Sequence, residues 1–247
     1  MEIAASLMAP WIWIAAAVAL AGLAWKAFVW LRAPVPLPMP LPPAPATWGG
    51  VALRMIREGI AFETLFRASR WTWLFGWIFH AALLLVLVRH LWLFSDPVPE
   101  WIGPLVGAGA WLSAVLLASL VGLLGRRLLV ARVRYVSVPS DYLMLLLILL
   151  VAGSGAWLGH VDPASLGHAR AFALGLVRLE ARPLPFDPAL WIHLGGAGLL
   201  IALLPFSKLL HAPGVFLTPT RRRPHPVTRR AAVRGDDREV AGRSKGR

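Results

Sequence analysis

Residues 71–94 read WTWLFGWIFHAALLLVLVRHLWLF, and residues 189–210 read ALWIHLGGAGLLIALLPFSKLL, with His211 directly after. Both are apolar enough, and long enough, for a helix crossing the hydrocarbon core, which takes about 20 residues. Two histidines go with each: His80 and His90 on the first stretch, His193 on the second and His211 at its end. Three more stretches, 8–31, 102–124 and 142–158, qualify or nearly qualify as spans. Of the 247 residues, 58% are hydrophobic and 15% charged, against about 45–50% and about 25% in a soluble domain. The expected fold is all-α and integral to the membrane, a bundle of five transmembrane helices. Tryptophans gather near the span ends (Trp11, Trp13, Trp25, Trp30, Trp71, Trp73, Trp92, Trp101, Trp157, Trp191), where an amphipathic indole suits the headgroup layer.

Charge sets the expected orientation. Segment 32–70 carries Arg32, Arg54, Arg57, Arg67 and Arg70, segment 125–140 carries Arg126, Arg127, Arg132 and Arg134, and segment 212–247 carries ten Lys and Arg. Segments 1–10 and 95–101 carry none, and 159–188 carries Arg170, Arg178 and Arg182. Basic loops stay in the cytoplasm, so the N-terminus is expected outside and the C-terminus inside. The formal charge of +13 then has a topological origin and requires no nucleic-acid partner. The first span lacks the flanking charge and small-residue cleavage site of a signal peptide and is read as retained.

Four regions follow: a first transmembrane helix (1–31), a cytoplasmic segment (32–70), a four-helix core (71–211) and a basic cytoplasmic tail (212–247). The cytoplasmic segment begins with a Pro-rich stretch, 34–47, expected to be extended. Leu53, Ile56, Ile60 and Leu65 then fall at helical spacing among charges, the pattern of an amphipathic helix at the membrane surface. The tail after Arg221 has no aromatics, and the tail is expected to be largely disordered.

No cysteine is present. That excludes disulfides, thiolate zinc sites, protein-held iron–sulfur clusters and covalently attached haem. The histidines carry the chemistry that remains. An intramembrane ionisable residue is costly and usually functional, and two lie on each of two spans. Those spans run antiparallel, so His80 comes to the depth of His211 and His90 to that of His193. Each facing pair supplies two neutral imidazoles, the axial ligand set of a b-type haem, and an apolar bundle core suits the porphyrin. His80 and His90 are separated by a rise of roughly 15 Å, and His193 and His211 by roughly 27 Å. Tilt, ring direction or a kink at Pro205 must absorb the mismatch.

Arg89, beside His90, suits a haem propionate or a quinone oxygen, and equally a side chain snorkelling to the interface. Lys208, near His211, suits a propionate or an anchoring role. His160, His168 and His225 are read as solvated, and Asp141 as a charge near a helix N-terminus. Gly153, Gly155, Gly195, Gly196 and Gly198 allow close approach of helices or of a flat ring.

The His pattern, on the second and fifth of five helices with spacings of ten and eighteen, resembles the dihaem gamma subunit of respiratory nitrate reductase. Three strings are more similar to one branch: VRHL at 88–91 running into FSDPVP at 94–99, YVSVPSDY at 135–142, and PFSKLLH at 205–211 leading to FLTPT at 216–220. They resemble the membrane cytochrome b subunit of the sulfite-reductase-linked Dsr complex, a relative of the methanogen heterodisulfide reductase cytochrome b subunit. The similarity runs from about residue 50 to residue 220.

The resemblance implies two haem b groups, His90 with His193 at the outer one and His80 with His211 at the inner one. It implies a quinone, menaquinone or ubiquinone, near the outer haem, and a cytoplasmic iron–sulfur partner related to heterodisulfide reductase. Other membrane and periplasmic subunits would complete the complex in the inner (cytoplasmic) membrane. Nitrate-type subunits place a Lys near the outer quinone, but residues 95–101 contain none, which leaves Arg89 as the nearby basic group. The expected role is an electron-transfer subunit of a quinone-linked oxidoreductase complex with a place in sulfur metabolism, the chain itself having no catalytic residue. Two other readings remain: a His-based proton or metal transporter, disfavoured because no carboxylate lies within these spans, and a plain structural anchor.

Overall fold

The computed structural model describes residues 2–32, 47–160 and 164–211. The Pro-rich stretch up to residue 46, the tail from residue 212 and His225 lie outside the described residues. The described residues are helical, with no strand among them. Ten α-helices run in order: α1 (Glu2–Arg32), α2 (Trp48–Ile56), α3 (Glu63–Ala68), α4 (Arg70–Phe94), α5 (Gly103–Gly107), α6 (Gly109–Leu129), α7 (Ala131–Tyr135), α8 (Pro139–His160), α9 (Ala164–Val177) and α10 (Pro188–Leu203). The described residues form two compact units, one drawn from residues 2–24 and 65–209 and the other from 25–32, 47–64 and 210–211.

Five helices are long and apolar enough to cross a membrane: Leu7–Arg32, Arg70–Phe94, Gly109–Leu129, Pro139–His160 and Pro188–Phe206. The chain is a multi-pass membrane protein. Its spans begin where sequence chemistry starts a helix. Ser69 caps α4 by accepting from Thr72 N–H at 3.4 Å, and Asp187 caps α10 by accepting from Ala189 N–H at 2.9 Å. Pro188 and Pro139 open their helices, where a missing N–H costs nothing.

In the first unit α4 packs on α6, α6 on α8 and α8 on α10, with α9 against α4 and α8. Lipid is as apolar as leucine, so helix association here rests on close packing and small residues. Phe79, Ala82, Leu116 and Leu120 form one buried cluster between α4 and α6. Met8, Ala9, Leu158, Phe172 and Leu190 form another. Leu84, Leu87, Leu143 and Leu150 face outward, as lipid-facing side chains do. Trp11 and Trp13 point inward instead of marking the interface: their indole N–H groups donate to Gly195 O and Leu176 O. Trp25, Trp71, Trp101 and Trp157 are exposed, as interface residues would be.

The structure redraws several boundaries. The third span starts at Gly109, because a 3₁₀ turn (Glu100–Ile102) and α5 occupy the residues before it. The fourth begins at Pro139, which brings Asp141 into its first turn. The fifth helix ends at Leu203 and continues as 3₁₀ turns Leu204–Phe206 and Lys208–Leu210, breaking at Pro205 as its ring requires. Segment 159–188 contains a helix, α9, with His168 on it. Arg170 of α9 donates to Ser95 O at 3.0 Å and to Trp92 O at 3.4 Å, satisfying carbonyls at the end of α4.

In the second unit the amphipathic stretch is helical but not continuous. Thr47 caps α2 by accepting from Gly50 N–H. A π-helical turn, Arg57–Ala61, ends at Phe62, whose φ of 51° is left-handed and breaks the helix before α3.

Candidate functional site

His90 of α4 and His193 of α10 come together. Their ring centroids lie 6.1 Å apart with planes 12° from parallel. Two metal–imidazole bonds of about 2 Å, with each ring centre about 1 Å behind its bonding nitrogen, put the centres about 6 Å apart. The pair therefore fits two ligands of one metal, the arrangement that a haem iron takes from two histidines.

The outer nitrogens are prepared for the same task. His90 Nδ1 lies 2.6 Å from Val86 O, and His193 Nδ1 lies 2.9 Å from Val151 O. A carbonyl can only accept, so each Nδ1 carries the proton and each Nε2 keeps its lone pair. A second hydrogen-bonded partner of this kind fixes the tautomer of metal-binding histidines. Ser154 Oγ stands 3.3 Å from His193 Nδ1, on the same side as the Val151 carbonyl. Gly155 makes the close approach possible, because a Cβ there would lie 2.7 Å from His193 Cε1.

His80, ten residues earlier on α4, shows the same preparation, with Nδ1 at 2.7 Å from Gly76 O. His80 belongs to the first unit, whereas His211 follows the last 3₁₀ turn, is exposed and belongs to the second. His160 also bonds a carbonyl of the preceding turn, Ala156 O at 2.7 Å. It is exposed at the end of α8, and His168 is exposed on α9. The tautomer-fixing bond alone thus does not mark a ligand; the facing second ring does.

Arg89 sits beside the pair. Its Nε is buried with no hydrogen-bond partner among the described residues, and its guanidinium lies over Gly109 of α6, where a Cβ would come within 2.6 Å of Nε. A buried donor of this kind costs free energy unless something accepts from it. Lys208 is placed differently. Its Nζ pairs with Asp141 Oδ1 at 2.8 Å, and Arg127 Nη1 pairs with Asp141 Oδ2 at 3.0 Å. That cluster ties the ends of α6 and α8 to the turns after α10.

The glycines divide by duty. Gly196 lets α10 approach Val151 of α8, and Gly198 makes room for the Trp11 indole, while at Gly153 and Gly195 an added Cβ would meet nothing within 4 Å. Sequence reasoning did not single out Ser154, Val151 or Val86. Ser154 carries a weak signal, a hydroxyl in an apolar run, and Val151 carries none.

No family model matches the chain. Two curated relatives do. One is the "Hdr-like menaquinol oxidoreductase cytochrome b-like subunit" of Archaeoglobus fulgidus, 34% identical over 206 residues, covering 72% of this chain and 62% of the relative. The other bears the same name in Archaeoglobus profundus, 33% identical over 184 residues, covering 67% of this chain and 54% of the relative. The chain thus spans somewhat more than half the length of each.

Proposed function

We propose that this chain is a membrane cytochrome b subunit that carries electrons between quinone and a partner protein. The observation that carries the reading is the His90–His193 pair, whose 6.1 Å separation suits two axial ligands of one iron. The names of the two relatives, with menaquinol and cytochrome b in both, support it.

Two b-type haems are assigned, one to His90 and His193 and one to His80 and His211. Bound haem supplies a one-electron carrier at each level of the bundle. The chain's own residues do the rest. Val86 and Val151 hold the imidazole tautomers, Gly155 seats the His193 ring, and Arg89 offers a cation to a propionate or a quinone oxygen. Lys208, steadied by Asp141, does the same beside the second haem.

The proposed orientation puts the N-terminus outside and the C-terminus in the cytoplasm, with the His90–His193 pair near the outer face and the arginine-rich segments inside. The partner on that basic face is an iron–sulfur subunit related to heterodisulfide reductase, in a Dsr-type complex of the inner (cytoplasmic) membrane.

The test is optical. The purified full-length protein should give reduced b-type bands and a pyridine haemochrome corresponding to two haems per chain. A preparation with no haemochrome would overturn the reading. A plain anchor would keep assembly and activity when His80, His90, His193 and His211 are replaced; an electron carrier would lose activity with each.

A further inference from the structure

An open groove of about 980 Å³ runs along the seam of α8 and α10. Its walls include Leu150, Gly153, Ser154 and Trp157 on α8, Asp187 at the cap of α10 and Ile192 on α10. The lining is almost entirely hydrocarbon, and the groove opens sideways from two spans. A lipophilic molecule dissolved in the bilayer would reach it without entering water.

Two oxygen-bearing side chains interrupt the hydrocarbon. Ser154 Oγ–H donates to Leu150 O at 2.9 Å, or to Val151 O at 3.0 Å, and its oxygen, 3.3 Å from the protonated His193 Nδ1, keeps a second lone pair to accept. Asp187 already accepts from Ala189 N–H, Leu190 N–H and Ser165 Oγ–H. A carboxylate has about four lone-pair sites, so one remains. Both groups therefore offer acceptors. A quinone, whose ring oxygens only accept, gains nothing from them, whereas a quinol has two O–H donors to give.

The spacing agrees. Asp187 and His193 are six residues apart, a rise of about 9 Å, and Ser154 stands against His193. Both acceptors thus line the one groove within about two turns of α10.

We infer that the α8–α10 groove is a quinol-oxidation site, with one hydroxyl of the quinol donating to Ser154 and the other directed to Asp187. The inference rests on the proposal that His193 is a haem ligand. With haem held by His193, the two O–H bonds would break, the two electrons would pass singly to ferric iron on the His193 side, and the ring would leave as quinone. The Asp187 carboxylate would take the two protons in turn, passing the first to water at the α10 N-terminal end before it receives the second.

Gly153 gives a clean test, because a side chain there points into open space. In native membranes or the purified complex, Gly153→Phe should slow haem reduction by a prenylated menadiol at least tenfold. The dithionite-reduced spectrum should stay unchanged. Ser154→Ala should slow the same step several-fold, and Asp187→Asn, which keeps the helix cap, should slow it with the haem spectrum intact. Independently of haem, a photoactivatable azido-naphthoquinol should label peptides from 146–157 and 188–192, with labelling lost in Gly153→Phe. Wild-type reduction rates in Gly153→Phe and Ser154→Ala would overturn the inference. So would labelling confined to other helices, or labelling displaced equally by any phospholipid, the mark of a groove that holds only acyl chains. Absence of haem in the wild-type protein would instead sink the reading beneath it, and labelling would still report on the groove.

Discussion

The two ends of α8 handle polar groups in opposite ways. At its N-terminal end Asp141 faces Arg127 and Lys208, and each charge finds its opposite within the protein. Toward its C-terminal end, Val151, Ser154 and Gly155 hold His193 against His90. There the neighbouring Arg89 keeps a buried Nε with no partner among the described residues. A bundle able to satisfy three charges at one end is capable of doing so at the other. Where it instead fixes two imidazoles by their far nitrogens and lays a guanidinium beside them, the geometry is that of a holder. The first end closes its charges on one another, a clamp whatever else Lys208 serves, and on the proposed reading the second is built around a guest.

The largest expected effect breaks the holder directly. His193→Ala removes half of the facing pair, so haem per protein, read by pyridine haemochrome, should fall about twofold. His90→Ala should match it. A double variant should lose no more than either single one, because the pair acts as a unit. Two independent losses would mean that the two rings serve different groups.

Gly155→Leu attacks the same end through packing. Its Cβ would lie 2.7 Å from His193 Cε1, and a ring hydrogen-bonded to Val151 can move only by giving up that bond. Overpacking typically costs about 1–3 kcal/mol. The variant should lose much of the haem at this site and melt earlier, whereas Gly153→Leu, two residues away in open space, should do neither.

A subtler change sharpens the role assigned to Arg89. Ferrous haem carries one positive charge fewer than ferric, so a nearby cation favours reduction. Arg89→Gln should therefore lower the midpoint potential of the His90–His193 haem while leaving its content near wild type. Gly109→Ala, which displaces only the end of a flexible side chain, should shift the potential the same way by less. An unchanged potential in a redox titration of both would assign Arg89 to snorkelling.

Much of this was legible in the chain itself. Spans of this length and apolarity leave few alternatives, and antiparallel order alone sets His90 opposite His193. The boundaries were less legible. Gly103–Gly107 is apolar enough to read as part of the third span, yet the chain breaks at Ala108. Segment 159–188 hides α9, because Phe172 and Ala173 are buried only once α4 and α8 are in place. Long-range partners were invisible. Lys208 lies 67 residues from Asp141, and Ser154 lies 39 from His193. No local pattern encodes either meeting, although the serine's place in an apolar run hinted at a duty.

The smallest expected effect comes from the clamp. Asp141→Asn keeps the side chain's shape and an oxygen able to accept from Val138 N–H, which lies 3.2 Å from Oδ2. What it removes is the charge that Lys208 and Arg127 share. The Lys208 side chain is 73% exposed, so water and salt already screen most of that attraction, and exposed pairs are worth about 1 kcal/mol or less. A thermal melt should shift by a few degrees at most, and by less at high salt. The spectrum and content of the haem held by His90 and His193 should not change. If that haem were lost along with the Asp141 charge, the two ends of α8 would be coupled through the helix, and the division between clamp and holder would have to be abandoned.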